Sequence, residues 1–429
     1  MKISVIGLGY VGLPTAALAA SAGHTVFGYD ANAAVREAVR GGSTSAELEV
    51  RELSARVVRE GRLIVVDRIE RADAYIVCVP TPARGHRPDL TYVEAALTEV
   101  AAVVASGELI VLESTVPPGV TERTVRRALR AAKKSFLNVA IAHAPERILP
   151  GDIVRELREN ERIVGGRSPQ DAERAKALYA SFTVGRVHLT DLRTAEFVKV
   201  IENTYRDVNI AFANELALFC EEIDIDVWQA IALANNHPRV NILRPGPGVG
   251  GHCIPIDPCF LTDQDPFATE LIQASRRINE RMPNLIVRRI VSLLGNGDGE
   301  RKIAVLGAAY KANVDDVRES PALRIRDLLE ERGFRTAVYE PHAMLSGSAS
   351  SLREAATDSD AVLLAVDHDE FRAITPMELA PIVRSRVLID CHNFFQPQEW
   401  VGAGFRVYAV GRGAQFAAPM AVSARITSA

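Results

Sequence analysis

The sequence predicts an α/β protein: two doubly wound, parallel-sheet domains with a helical region between them. Three observations predict it. Short β-rich runs alternate with helical runs at both ends of the chain. A glycine-punctuated turn, Gly7-Leu8-Gly9-Tyr10-Val11-Gly12, directly follows the first of these runs. The stretch RTAEFVKVIENTYRDVNIAFANELALFCEEI, residues 193–223, contains neither Gly nor Pro and repeats its apolar positions every three or four residues.

The elements follow in order. KISVIG reads as a strand, LPTAALAASAG as a helix of small residues and HTVFGYD as a second strand. RLIVV, DAYIVCV, GELIVLES and FLNVAIAHAP continue the strand series, with YVEAALTEVAAVVAS a helix among them. Strands alternating with helices call for a parallel sheet. After the long helix, DVWQAIALANN extends the helical region, a glycine-rich loop ends it, and ATELIQASRRINERMPNLIVRRIVSLLG forms another helix. KIAVLGAAY, TAVYEP, DAVLLAVDH, RVLIDC and FRVYAV are the strands of a second α/β domain. The expected division is 1–192, 193–298 and 299–429. The last stretch, GRGAQFAAPMAVSARITSA, has no clear period and reads as a mobile tail.

Composition narrows the function. A chain of 429 residues suggests two to three domains, at roughly 100–200 residues each. Its 48% hydrophobic and 24% charged residues suit an α/β enzyme. A net charge of −4 supplies no field for nucleic acid or an anionic membrane. No run approaches the ~18 apolar residues of a membrane span, and the N-terminus lacks a signal-cleavage pattern, so a cytoplasmic location is expected. The five cysteines are odd in number and form no CxxC pair, which argues against a disulfide framework and against a metal site.

The first constellation is the GxGxxG turn between a strand and a helix. Gly7 permits the tight turn, Gly9 lets a pyrophosphate approach the backbone, and Gly12 lets helix and strand pack closely. The helix N-terminus then presents unpaired N–H groups to the phosphates. Asp30 closes the second strand, where a carboxylate accepts from both ribose hydroxyls and repels a 2′-phosphate. The expected cofactor is NAD. The second domain lacks this fingerprint. Ala308, Ala309, Tyr310 and Lys311 follow Gly307, and Lys311 suits one phosphate of a different nucleotide as well as it suits a solvated lysine.

The second constellation is PGPGVGGHCIPIDP, residues 245–258. Glycines 246, 248, 250 and 251 allow unusual backbone angles and bring N–H groups near Cys253, where they stabilise a thiolate. His252 reads as structural, and Asp257 is placed to act through water. Lys199 and Asn203 share one helix face, which suits stabilisation of an alkoxide or oxyanion, although an ordinary polar stripe has the same spacing. Glu146 follows an apolar strand, where ligands of open sheets sit; it is either an acid–base group or a solvated loop acid. NAD together with an activated thiol points to stepwise oxidation of an alcohol to a carboxylate through a covalent intermediate.

GLGYVGLP, VPTP, LESTVPPG, APERILPG, ENTYRDVNIAFANE, NNHPRVNILRPGPGVGGHCIPIDP and DDVRESPA occur in this order over nearly the whole chain. As a set they resemble the UDP-glucose/GDP-mannose dehydrogenase family. The resemblance implies two Rossmann-like domains joined by a long helix that also makes a homodimer or larger assembly. It implies NAD-dependent four-electron oxidation at C6 of a UDP-sugar. In that reading Cys253 is the nucleophile, Lys199 stabilises the oxyanion, Asn203 and Asp257 position water, and Thr115 and Glu146 complete the acid–base network. Gly7, Gly9, Tyr10, Val11, Gly12, Asp30, Thr81, Thr115 and Arg318 lie along NAD. Glu146, Ile148, Leu149, Lys199, Asn203, Arg239, Arg244, Gly250 and Lys311 meet the substrate, with Arg239 supplied across the dimer. Two segments look most like the branch acting on UDP-N-acetylmannosamine, with UDP-N-acetylglucosamine and then UDP-glucose as alternatives. Asp390-Cys391-His392-Asn393 departs from the family's usual basic residue before Asn, and Cys259 stands where a larger aromatic is common. A binding protein without turnover is the alternative of a different class; the intact Cys253, Lys199, Asn203 and Asp257 argue against it.

Overall fold

The structure, a computed structural model, describes residues 1–412 except 45, 86, 149, 150 and 298. Of the C-terminal stretch, residues 413–429 therefore lie outside the described residues. The chain forms two compact units. The first comprises Met1–Glu202 and Cys259–Asp265; the second comprises Asn203–Pro258 and the chain from Pro266 onward.

The first unit holds strands β1 (Lys2–Ile6), β2 (Thr25–Tyr29), β3 (Leu63–Val65), β4 (Ala74–Val77), the short hairpin β5 (Ala83–Arg84) and β6 (Arg87–Pro88), β7 (Leu109–Leu112), β8 (Ala140–His143), β9 (Arg162–Gly166) and β10 (Val187–Asp191). Eight of them form one sheet in the order β10-β9-β8-β7-β4-β1-β2-β3. The central strands are buried on both faces, which is why AYIV and LIVL are uninterrupted apolar runs. Helix Gly12–Ser21 has nine buried residues of ten, and its small side chains let it sit against the sheet and its neighbours. The sheet is parallel, as its alternation with helices predicts, except at one pair. β9 runs antiparallel to β8, pairing Gly166 with Ala142 and Gly165 with His143, while β10 follows β9 in parallel. Among the described residues the connection from β8 to β9 carries the seven-residue helix Ile153–Glu159, and the chain turns back instead of crossing over.

The second unit holds β11 (Lys302–Leu306), β12 (Arg335–Tyr339), β13 (Ala361–Leu364), β14 (Val387–Asp390) and β15 (Arg406–Ala409), all parallel, in the order β12-β11-β13-β14-β15. The sequence expectation of a 193–223 helix corresponds to the 31-residue helix Leu192–Glu222. Within the second unit its Ala213 and Ala217 join a core with Met282, Ile286 and Ile290 of helix Glu270–Leu294. Val227–Ala234 is a separate helix, capped by Asp226. Among the described residues no helix is long and apolar enough to cross a membrane.

Candidate active site

In the first unit the glycine turn has the geometry its spacing predicts. Gly7 has φ +93°, and a Cβ there would lie 2.4 Å from the Cys78 carbonyl oxygen. A Cβ on Gly12 would lie 1.9 Å from the Gly7 oxygen, so both positions exclude a side chain. Gly9 differs, because a Cβ there would meet nothing within 4 Å. The turn is closed where packing is needed and open where a pyrophosphate would approach. Tyr10 is exposed beside it. Asp30 is oriented by two backbone donors, Leu8 N–H to Oδ2 at 2.9 Å and Asn32 N–H to Oδ1 at 2.8 Å. A fixed carboxylate at the end of β2 and bare backbone at Gly9 fit a dinucleotide.

Glu146 follows β8, half-buried, and is not a freely solvated loop acid. Its Oε1 accepts from the Arg147 N–H at 2.7 Å, and its Oε2 accepts from Arg162 Nη2 at 2.9 Å. Arg162, on β9, is almost wholly buried; its guanidinium stacks over Tyr179 at 4.5 Å and also faces Glu113. Glu113 in turn accepts from Tyr179 Oη at 2.6 Å and from Cys78 Sγ at 2.9 Å. Burial pushes the Glu113 carboxyl upward while Arg162 opposes that shift, and burial holds the Cys78 thiol well above its ordinary range. Sequence reasoning missed this network. The available signal was one acid ending the apolar run LIVLE.

The cysteine loop belongs to the second unit and is fixed at both ends. At its start, Asn209 Oδ1 accepts from Leu243 N–H at 2.9 Å and Asn209 Nδ2 donates to Asn241 O at 3.0 Å. Asn214 Oδ1 accepts from Gly246 N–H at 2.8 Å. Asn214 is itself held by Asn279, which binds buried Asp207, and Arg276 donates to the same Asp207 at 2.6 Å. Further on, Gly251 N–H donates to Arg318 O at 3.1 Å. Gly250 and Gly251 lie so close to Glu319, Pro321 and Tyr310 that a Cβ would come within 2.6–2.9 Å of them. The glycines around the thiol thus let this loop lie flat against a neighbouring segment. Cys253 is half-buried, and its carbonyl accepts from the Ile256 and Asp257 N–H groups. Asp257 is buried, and its Oδ2 accepts from Asn203 Nδ2 at 2.6 Å.

The remaining candidate residues are less tightly engaged. Lys199 is half-buried on helix Leu192–Glu222, four residues before Asn203. Thr81, Thr115 and Ile148 are half-buried, and Leu149 lies outside the described residues. Val11 caps helix Gly12–Ser21. Arg239 and Lys311 are exposed; Arg244 lies over the Trp228 ring at 5.8 Å. Arg318 pairs with Asp316 through Nε and Nη2 and reaches His252 Nδ1 at 3.0 Å. Asp390 accepts from the His392, Phe394 and Phe395 N–H groups, so the Asp390–Asn393 departure is a built turn, with His392 against Gly246. Cys259 is buried, and the five cysteines form no disulfide.

The second unit repeats the first unit's turn with one change. Gly7 N–H donates to Tyr29 O at 2.8 Å, and Gly307 N–H donates to Tyr339 O at 2.9 Å. At the position corresponding to Asp30 stands Glu340. Its Oε2 accepts from both Ala308 and Ala309 N–H groups, at 2.6 and 2.9 Å. The amides that could face a pyrophosphate here are already taken by a side chain.

The chain matches the UDP-glucose/GDP-mannose dehydrogenase family in three consecutive stretches: its NAD binding domain at residues 1–183, its central domain at 193–281 and its UDP binding domain at 304–397. It is 42% identical over 421 residues to a UDP-N-acetyl-D-mannosamine dehydrogenase of Methanocaldococcus jannaschii, covering 96% of this chain and 97% of that protein. It is 43% identical over 411 residues to an NDP-N-acetyl-D-galactosaminuronic acid dehydrogenase of Ralstonia nicotianae, covering 92% and 96%. Among solved structures it superposes on a UDP-D-ManNAc dehydrogenase from Pyrococcus horikoshii with a TM-score of 0.91 at 40% identity, covering 96% of this chain and 99% of that one. The NAD-binding match falls on the unit with the open glycine turn, and the UDP-binding match on the unit whose turn is closed by Glu340. The chain belongs to the UDP-glucose/GDP-mannose dehydrogenase family and is an NAD-dependent nucleotide-sugar dehydrogenase.

Proposed function

We propose that the chain oxidises the C6 hydroxyl of UDP-N-acetylmannosamine to the uronate. The observation that carries the reading is the turn from Cys253 to Asp257. Asp257 N–H closes it on the Cys253 carbonyl, and Asn203 holds the Asp257 side chain, so the backbone that carries the thiol, the acid and the amide form one fixed group. The relatives named for UDP-N-acetylmannosamine support the choice of sugar.

NAD, when bound, supplies the hydride acceptor. Glu146, with Thr115, takes the C6 hydroxyl proton, and Lys199 stabilises the oxygen as it becomes negative. The Cys253 thiolate then forms an S–C bond to the aldehyde carbon, giving a thiohemiacetal. Loss of a second hydride, for which a second NAD⁺ would be the acceptor, and of the hydroxyl proton leaves a thioester. Asn203 and Asp257 orient the water that cleaves the C–S bond, releasing the carboxylate and the thiol. Tyr10, Val11, Asp30, Thr81 and Arg318 lie along the cofactor. Ile148, Leu149, Arg244, Gly250 and Lys311 meet the substrate, and Lys311 serves the UDP. In this reading 1–192 carries NAD, 193–298 the nucleophile and 299–429 the UDP. The protein works in the cytoplasm as a homodimer through the long helix, with Arg239 reaching the partner's substrate. A row of exposed apolar residues on that helix, Tyr205, Phe212 and Phe219, supports the dimer.

The test is product analysis with NAD⁺ and, separately, UDP-N-acetylmannosamine, UDP-N-acetylglucosamine, UDP-N-acetylgalactosamine and UDP-glucose. Two NADH per sugar, with a uronate from the mannosamine substrate, is the expected result. The same stoichiometry from another sugar moves the specificity, and one NADH with released aldehyde overturns the role of Cys253.

A further inference from the structure

The buried group behind Glu146 contains two carboxylates and one cation. Arg162 Nη2 donates to Glu146, while its Nη1 makes no hydrogen bond and lies 3.7 Å from Glu113 Oε1. The Glu113 side chain is fully shielded, Arg162 is 6% exposed and Glu146 is 11% exposed. With so little water to screen them, each carboxylate feels the other and both compete for the same guanidinium. The two other groups facing Glu113 are donors, the Cys78 thiol and the Tyr179 hydroxyl. Burial pushes both well above their ordinary ranges, so both remain donors to Glu113 and, with Arg162, oppose the burial that pushes its own carboxyl upward. Arg147, whose N–H also donates to Glu146, sends its guanidinium elsewhere, to Glu202 and the Glu161 carbonyl. Within this buried group, Arg162 and Glu113 are the charges that bear on Glu146.

We propose that Glu113 is a positioning residue for the acid–base step: by sharing the Arg162 guanidinium with Glu146 it sets the proton affinity of the Glu146 carboxylate without touching the substrate. This rests on the reading of Glu146 as the acid–base group. An ionised Glu113 raises the affinity of Glu146 for a proton in two ways, by direct repulsion and by drawing off part of the cation. A stronger base takes the hydroxyl proton more readily, provided it is still ionised at working pH. Glu113 also touches the cofactor turn through Cys78, whose Cβ would lie 3.1 Å from a Cβ on Gly12.

The experiment titrates Glu146 directly in the full chain without substrate. ¹³C-labelled glutamate carboxyls are followed by NMR, and the Glu146 signal is assigned by its loss in Glu146→Gln. In Glu113→Gln the guanidinium belongs to Glu146 alone, so its titration should move down by about one pH unit. Tyr179→Phe removes one donor from Glu113 and should move it the same way by less; this milder variant carries the test if Glu113→Gln does not fold. A Glu146 midpoint within about 0.3 pH unit of wild type in the folded variants overturns the proposal. The pH profile of kcat/KM then separates the two readings. Its acid limb should follow the Glu146 midpoint downward in Glu113→Gln. A midpoint that moves while the limb stays put upholds the coupling and removes Glu146 from the acid–base step.

Discussion

Asn203 and Asp257 are 54 residues apart in sequence and joined by a buried 2.6 Å hydrogen bond, Nδ2 to Oδ2. The bond fixes a carboxylate at the end of the turn that begins with Cys253. Asn203→Ala takes this donor from a carboxylate that is 3% exposed. Stability should fall by about 1–3 kcal/mol. On the proposed mechanism activity should fall more steeply, by on the order of 10²-fold in kcat, because Asp257 can then turn away from the position proposed to orient water. Urea unfolding and steady-state rates measured on the same preparation check both. A kcat within a factor of about three of wild type would remove the pair from the chemistry.

The two glycines of the cofactor turn should fail differently. Gly12→Ala forces a Cβ to 1.9 Å from the Gly7 oxygen, so the turn itself must shift. Both the melting temperature and NAD⁺ affinity should drop. Gly9→Ala meets open space and should melt like wild type, while its methyl group blocks the pyrophosphate and weakens NAD⁺ by at least about tenfold. Calorimetric titration with NAD⁺ beside a thermal melt gives both readings. A Gly9→Ala protein that binds NAD⁺ normally would mean the pyrophosphate takes another path.

Glu340 makes the second unit sensitive to acid. Burial alone would raise its pKa, but bonds from His368 and from the Ala308, His342 and Ala309 N–H groups outweigh that and hold it at about 2. A carboxyl with a depressed folded-state pKa stabilises the protein fully above its unfolded value, ~4.3. That contribution is lost as the pH falls from there toward about 2. Glu340→Gln should be less stable near neutrality and should lose less stability over this acid window than wild type. Denaturant midpoints measured from pH 5 to pH 2 test the slope, and parallel curves for the two proteins would refute it.

The apolar row on the long helix should matter for assembly. Phe212 and Phe219 are 48% and 57% exposed one heptad apart. A Phe212→Glu, Phe219→Glu double variant places two charges in the proposed interface. It should elute and scatter light as a monomer at concentrations where wild type is a dimer, with its circular dichroism unchanged. Wild-type protein that is already monomeric would leave the row needing another partner.

Much of this architecture is legible in the sequence because burial writes itself into apolar runs. AYIV and LIVL are buried on both faces, and the long helix keeps a continuous three-four period. The glycine turn and the cysteine loop are equally plain, since close backbone approach leaves glycine as the residue that fits. Reversal of β9 was not legible: RIVGG is short, and its glycines read like a turn. Nor were Glu113 and Arg162, whose pairing depends on tertiary contact between strands. Asn209 and Asn214 look like an ordinary polar stripe until the loop they hold is seen. Glu340 offered a signal that went unused, an acid closing a strand as Asp30 does.

The two turns have opposite fates. The first keeps an open glycine over which a pyrophosphate can lie, and the second has filled its amides with its own glutamate. Of these two turns only the first leaves a seat for a dinucleotide, whereas converting an alcohol into an acid removes two hydrides. The seat has to be vacated and refilled midway, and the half-oxidised sugar has to wait. An aldehyde held only by weak contacts could leave during the exchange. On the proposed mechanism, a bond to Cys253, in a loop braced at both ends, would moor it between one departure and the next arrival.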